Sequence, residues 1–337
     1  LDNPVLVEVL RGGRIESRHR GAVAVCDAAG SDVFTLGEVA APVFPRSAIK
    51  ALQALPLIES GAADRFSLTS AEIALACASH SGAAIHAETA LAMLRKCGRE
   101  VVTLECGIHW PLSVEASRDL AARGAKPSAL HNNCSGKHAG FICLSCAAGH
   151  DPAGYVAPEH FAQREVKAAV EDVTKSRLDA ESRAIDGCAI PTYAMPLRAL
   201  AQGFARFGSG DGLTSGRAEA ARRIRLAVAA HPSLVAGAGR FDTVIMEALG
   251  PRAFVKTGAE GVYCAAFPEL GFGAAIKCED GAGRAAETAM SAIIARFLPL
   301  NAKELAALDG RLTPHLVNWN GAKVGEIRPS PALAHQS

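Results

Sequence analysis

Aromatic residues make up only 5% of this 337-residue chain, too few for the base-stacking surfaces that hold single-stranded nucleic acid. Neither sign of charge dominates: 35 basic residues stand against 34 acidic ones, a formal net charge of +1. A chain so balanced has no broad field to attract nucleic acid or an anionic membrane. No uncharged apolar run approaches the roughly 20 residues of a membrane span. The opening LDNPVLVEVLRGG lacks the long apolar stretch of a secretory signal. Ten cysteines are present, but they are spread along the chain without a signal, which reads as reduced thiols and not a disulfide framework. A cytoplasmic location is the expectation.

Hydrophobic residues at 49% and charged residues at 20% are ordinary for a globular enzyme. The length allows one large domain or two intimate ones. Strand-like runs occupy 5–9, 21–25 and 33–39. An apolar stripe through Ile49, Leu52, Leu55, Leu57 and Ile58 predicts a helix over 46–59. Helical patterns follow at about 83–97, 136–148, 158–174, 195–206, 215–230 and 241–249. Strand character returns at 253–256, 262–267 and 273–277, and a helix over 283–297 offers Ala289, Ile293, Ile294 and Phe297 as one face. The fold class is therefore α/β in the α+β sense. Segments 1–45 and 250–310 build an antiparallel sheet flanked by helices, and 46–249 forms a mostly helical region. The two make one compact catalytic unit with its site in the cleft between them. The tail, 311–337, rich in Pro and polar residues, is expected to be partly disordered.

Pro45-Arg46-Ser47-Ala48-Ile49-Lys50 sets a serine and a lysine three apart where a loop becomes a helix, a spacing that shares one helical face. Partial burial would bring the lysine toward neutrality, and a neutral amine can take the serine proton. Chance alone supplies on the order of one such pair in a chain of this length, and a solvated Ser and Lys in a first helical turn is the plain reading of it alone. Two further elements follow in order. Cys77-Ala78-Ser79-His80-Ser81-Gly82 is a small polar run that could equally be a helix-capping loop. Lys256-Thr257-Gly258 ends an apolar strand and could equally begin a simple hairpin. Together, S-x-x-K, a central Ser loop and K-T-G are the ordered elements of serine β-lactamases and penicillin-binding proteins.

Two segments do not belong to that pattern: His131-Asn132-Asn133-Cys134-Ser135-Gly136-Lys137-His138-Ala139-Gly140, and Asp186-Gly187-Cys188-Ala189-Ile190-Pro191-Thr192. Two thiols with a nearby third ligand could hold a borderline ion such as Zn²⁺; two buried cysteines beside helix caps would look the same. Cys143-x-x-Cys146 has metal-like spacing but lies in the apolar run 141–147, which reads as helix core.

The combination PRSAIK, CASHSG, HNNCSGKHAG, DGCAIPTYAMPL and VKTGAEG resembles the Rhizobium etli-type L-asparaginases, the asparaginase II family, over about residues 5–300. The resemblance implies a serine β-lactamase-like fold, a homodimer, and hydrolysis of L-asparagine to L-aspartate and ammonia. It also implies two Ser-Lys pairs, Ser47 with Lys50 and Ser79 with Lys256, and a zinc site of Cys134, Cys188 and Lys137. Composition alone would favour His138 as the third ligand. Arg46, His138, Asp186 and Glu260 flank these motifs as candidate substrate-binding or supporting residues. Expected rivals are a serine-dependent glutaminase or a β-lactamase or penicillin-binding hydrolase on the same fold, and a non-catalytic ligand sensor or structural zinc module.

Overall fold

A computed structural model describes residues 3–334. Eight strands form one antiparallel sheet: β1 (Val5–Arg11), β2 (Arg14–Asp27), β3 (Asp32–Leu36), β4 (Phe254–Thr257), β5 (Val262–Phe267), β6 (Phe272–Cys278), β7 (His315–Val317) and β8 (Lys323–Pro329). Their spatial order is β7-β8-β1-β2-β6-β5-β4, with β3 also paired to β2. The 14-residue β2 joins the two halves of the sheet. It pairs through Arg14–Arg20 with β1 and through Gly21–Asp27 with β6.

Six helices matter for the site: α1 (Ser70–Ala76), α2 (Ser135–Ala147), α3 (Leu197–Ser209), α4 (Phe241–Leu249), α5 (Gly283–Phe297) and α6 (Ala302–Leu312). All six residues of β5 are buried, so both faces of the central sheet are covered. The C-terminal α5 lies along β1, β5, β6 and β8, while α3 packs on β2, β5 and β6. Helix α2 is buried from Ser135 through Ser145, as a helix apolar all round must be. It carries the HNNCSGKHAG segment into the middle of the molecule.

The sheet built from the chain ends and the helical middle match the expected architecture, with three differences. The stretch 46–59 is not one helix but a 3-10 turn, Arg46–Ile49, followed by Lys50–Gln53 and Leu55–Glu59, because Pro56 lacks the N–H that would bond back into a continuous ladder. Short strands interrupt the middle: Pro42–Val43 pairs with Met195–Pro196, and Arg183–Ile185 with Pro191–Tyr193. The tail is not disordered over its described part. It supplies β7 and β8, and β8 covers β1, with Arg328 bonding Glu8 at 2.9 Å and the Ser330 hydroxyl donating to the Val5 carbonyl at 2.5 Å. A strand so half-polar carries little periodic signal; pairing with β1 on one side and β7 on the other is what orders it.

Helix α3 reaches the sheet closely because β6 has a glycine beneath it. A Cβ on Gly273 would lie 2.1 Å from the Ala201 carbonyl oxygen and 2.2 Å from the Ala205 amide nitrogen. Backbone cannot retreat as a side-chain tip can, so Gly273→Ala forces helix and sheet apart. We expect a loss of about 3 kcal/mol or more in unfolding free energy, read as a lower denaturant midpoint. A midpoint equal to wild type would show that the contact is not rigid.

Candidate active site

Five separate elements bring the motif residues to one cavity of about 330 Å³, lined in part by Ser47, Ser79, Cys134, Asp186, Cys188 and Thr257. Ser47 sits in the 3-10 turn, directly after Arg46, whose φ of +50° is in the left-handed region. A side chain held there costs about 1–3 kcal/mol, the kind of strain that surrounding structure must impose. The turn packs against β4 and β5, and Gly258 allows the approach: a Cβ there would come within 2.8 Å of the Pro45 carbonyl. Ser79 follows α1, its amide donating to Val235 O at 2.8 Å. Lys256 is on β4. Cys188 lies in a tight turn closed by Asp186 N–H to Ile190 O at 2.9 Å, with Ala189 at φ +73°.

Two amines converge on one hydroxyl. Lys50 Nζ and Lys256 Nζ each lie 2.9 Å from Ser79 Oγ. Lys50 also donates to Ala78 O at 2.6 Å and Cys134 Sγ at 3.1 Å, so its three hydrogen-bond positions are filled. This is why the expected Ser47–Lys50 hydrogen bond is not formed: the long side chain runs past the turn to acceptors deeper in the core. Ser47 Oγ has no hydrogen bond among the described residues and faces the cavity. Lys256 bonds Thr257 O at 2.9 Å and stands 3.8 Å from Asp242 Oδ2.

Burial dominates the electrostatics. It depresses Lys50 below the ordinary lysine range, against the opposing pull of Cys134. It brings Lys256 down from 10.5 to about 7, with Asp242 pulling the other way. Asp242 is itself buried and pushed up by desolvation. Its carboxylate accepts from Thr257 N at 3.2 Å and from the Tyr263 hydroxyl.

Beside this group lies a thiol pair. A hydrogen bond from Cys188 holds Cys134 well below the usual thiol range, with Lys50 and Lys137 reinforcing it, while the same bond pushes Cys188 up. Lys137 Nζ is 3.1 Å from Cys188 Sγ. Burial would depress Lys137, but the negative charge on the sulfurs outweighs it and raises the amine to about 12. Among the described residues no three His, Cys, Asp or Glu side chains group as metal ligands. Two sulfurs with one adjacent amine nonetheless form a donor set that a borderline cation such as Zn²⁺ accepts.

The supporting residues divide. Arg46 Nε bonds Asp186 Oδ1 at 2.7 Å, and both line the cavity. Burial would raise Asp186, but Lys137 and Arg46 hold it below the usual carboxylate range. His138 points elsewhere, its Nδ1 at 2.7 Å from the Tyr155 hydroxyl, and its Nε2 is buried without a partner. Burial lowers its pKa well below 6.5. Glu260 is exposed in the β4–β5 turn, with φ +52°, and does not line the cavity. It flanks the K-T-G motif in sequence, but the strand end projects it outward.

Sequence reasoning missed Asp242, Tyr263, His109 and Arg240. Asp242 reads as an ordinary first-turn acid of α4, and Tyr263 as one strand residue among many. His109 and Arg240 line the cavity. His109 Nε2 accepts from Asn133 N at 3.0 Å, and the Arg240 guanidinium makes no ion pair among the described residues. Neither sits in a recognisable motif.

No helix among the described residues is long and apolar enough to cross a membrane. No curated protein matches the chain. Among solved structures, it is similar to a protein of Bacteroides dorei DSM 17855 provisionally described as a beta-lactamase. That likeness has 14% identity, a TM-score of 0.36, and covers 77% of this chain and 84% of the other. It is also similar to simvastatin synthase from Aspergillus terreus, a LovD6 mutant. There the identity is 11%, the TM-score 0.33, and the coverage 77% and 86%. The sequence itself matches the L-asparaginase II family across residues 7–329. With a match spanning nearly the whole chain, this protein belongs to the L-asparaginase II family of amidohydrolases.

Proposed function

We propose that the cavity hydrolyses the side-chain amide of L-asparagine to L-aspartate and ammonia, as in the Rhizobium etli-type enzymes. One observation carries the reading. Two buried lysines meet a single hydroxyl, Ser79, at 2.9 Å each, below a cavity in which Ser47 stands unbonded. A volume of about 330 Å³ is at the small end of ligand sites and suits an amino acid better than a penicillin-like acyl donor.

Ser47 Oγ attacks the amide carbon, and neutral Lys50, which bonds Ser79 and not Ser47 in the resting site, takes its proton once bound substrate has brought the two together. The amide N–H groups of Ser47 and Ala259, which meet no acceptor among the described residues, are placed to receive the oxyanion. Ser79 accepts from one amine and donates to the other, so a proton taken at Lys50 can be returned from Lys256 to the leaving nitrogen. Ammonia departs, and water cleaves the acyl-enzyme along the reverse path. Arg240, with no ion pair of its own, takes the substrate α-carboxylate. Asp186, steadied by Arg46, takes the α-ammonium.

Cys134, Cys188 and Lys137 would hold zinc, Lys137 giving up its proton on binding. When bound, the ion supplies a fixed positive charge that orients substrate. Hydrolysis stays with the serines and lysines. The proposal extends to a homodimer in the cytoplasm. All ten cysteines are free thiols, which suits a reducing compartment.

Ser47→Ala should lower kcat by at least about 10³-fold and abolish acyl-enzyme trapped by acid quench, with Tm unchanged. Retained burst kinetics in that variant would move the nucleophile to Ser79. Purified wild type that releases ammonia faster from glutamine than from asparagine would favour the glutaminase reading instead.

The pH dependence follows from Lys256. It must be uncharged to take a proton, so kcat/KM should rise with pH through an apparent pKa near 7, the value burial gives it. Asp242 raises that value, so Asp242→Asn should move the limb to lower pH. A limb that stays in place, or moves upward, would disconnect Asp242 from Lys256.

Metal content tests the thiols. Protein purified with zinc should bind about one ion per chain, and Cys134→Ala should lower affinity at least about 100-fold. Full metal content in Cys134→Ala, measured by elemental analysis, would remove the zinc assignment.

A further inference from the structure

Away from the cavity, Cys97, Cys143 and Cys146 form a second group of thiols that the reaction above does not use. Cys97 ends the helix Ala84–Lys96, and Cys143 and Cys146 lie one turn apart on α2. Cys97 Sγ donates to the Leu94 carbonyl at 3.1 Å and Cys143 Sγ to the neighbouring Met93 carbonyl at 3.5 Å. Sulfurs from two packed helices therefore meet at the same helix end. Cys143 and Cys146 both act on the Cys97 thiol from α2, and Arg99 acts on Cys146. Cys143 is buried, whereas Cys97 and Cys146 are partly exposed. The pair that spacing alone assigns to the helix core thus has a third thiol and a solvent route.

We propose that Cys97 is a peroxide-reactive thiol that closes an intramolecular disulfide with Cys146. The Cys97 thiolate attacks one oxygen of hydrogen peroxide. The O–O bond breaks, the sulfur becomes a sulfenic acid, and the second oxygen leaves as hydroxide. Cys146 sulfur then displaces the sulfenic hydroxyl, the S–S bond forms, and the thiol proton leaves with that hydroxyl as water. Two thiols and one peroxide thereby give one disulfide and two waters.

The roles follow from surroundings. The neighbouring Cys143 and Cys146 lower Cys97 below the usual thiol range, more than burial raises it; once the proton it gives to Leu94 O in the resting form is lost, the accessible thiolate is the form that peroxide attacks. Burial pushes Cys146 up, but the Arg99 guanidinium opposes it. Cys143 is closed off, its S–H committed to Met93 O, and the neighbouring Cys97 together with burial pushes its pKa far up. Closure would fasten the C-terminal end of α2 to the helix Ala84–Lys96. The other end of α2 carries Lys137 into the cavity.

The test uses the full-length protein, a small excess of hydrogen peroxide, and peptide mapping by mass spectrometry with dimedone to trap sulfenic acid. Cys97 should be oxidised at least about tenfold faster than the core residue Cys264. It should appear joined to Cys146, with both thiols restored by dithiothreitol. Cys146→Ser should instead accumulate dimedone-labelled Cys97, which needs only a folded surface around Cys97 to be read. Oxidation of Cys97 no faster than Cys264, or a wild-type cross-link to Cys143, would overturn the proposal. None of these readouts involves asparagine, so the reaction assigned to the cavity stands or falls separately.

Discussion

Desolvation of lysine is the constraint on which the site is built. An ammonium in water keeps its proton far above neutral pH, and a serine beside it gains nothing. Lys50 and Lys256 are both completely buried, and the loss of water makes the uncharged amine accessible at working pH. For Lys256, the fall from 10.5 to about 7 corresponds to roughly 5 kcal/mol of added preference for the neutral form. The fold has to supply that burial from elements far apart in sequence: the turn at Arg46, the loop after α1, strand β4 and the start of α2. No single one of them encloses an amine by itself.

The close packing elsewhere in the molecule serves the same end. Gly273 lets α3 lie directly on the sheet, and Gly258 lets the Ser47 turn lie directly on β4. A methyl group at either point would move a helix or a turn outward, and a shift on the order of an ångström is enough to admit water to Lys256 or to separate it from Ser79. The C-terminal elements contribute from the other side: β8 closes the edge of β1, and α6 packs on α5 and α4. Asp242 stands at the N-terminal end of α4. Elements with no residue in the cavity thus hold the positions of those that do.

Much of this was legible in the sequence, for identifiable reasons. Strands β4 to β6 and α5 carry strong apolar patterns between Gly-rich turns, so their places follow from periodicity. The motif residues were legible because a Ser, a Lys and a K-T-G triplet at strand and helix ends have few other uses in combination. Partners were not legible. Periodicity places Lys50 on the same face as Ser47, but a buried amine takes whichever acceptors fill its three positions, and those are Ala78, Ser79 and Cys134. Asp242 and Tyr263 are ordinary residues by local pattern. They acquire a role only because β4, β5 and α4 meet, which is a tertiary fact. Strand β8 was missed because its ordering comes from pairing with β1 and β7, not from its own residues.

His138 and Lys137 show how adjacent residues are sorted. Successive side chains on a helix diverge by about 100°, so only one of them can face the thiols. Lys137 does so, and His138 turns to Tyr155. The result is three buried lysines with different behaviour. Lys137 faces the thiol pair and keeps its charge; Lys256 faces a carboxylate that burial has itself pushed toward the neutral form, and loses it near neutrality. Lys50 lies between, touching both Ser79 and Cys134. Burial alone would treat the three alike, so the distinction rests on the acidity of each partner. A thiol hydrogen-bonded by a second thiol is a better counter-charge here than a buried aspartate bonded by tyrosine. In the reaction we propose, that ordering places proton transfer on the Ser79 side of the cavity and fixed charge on the Cys188 side, with the same kind of side chain on both.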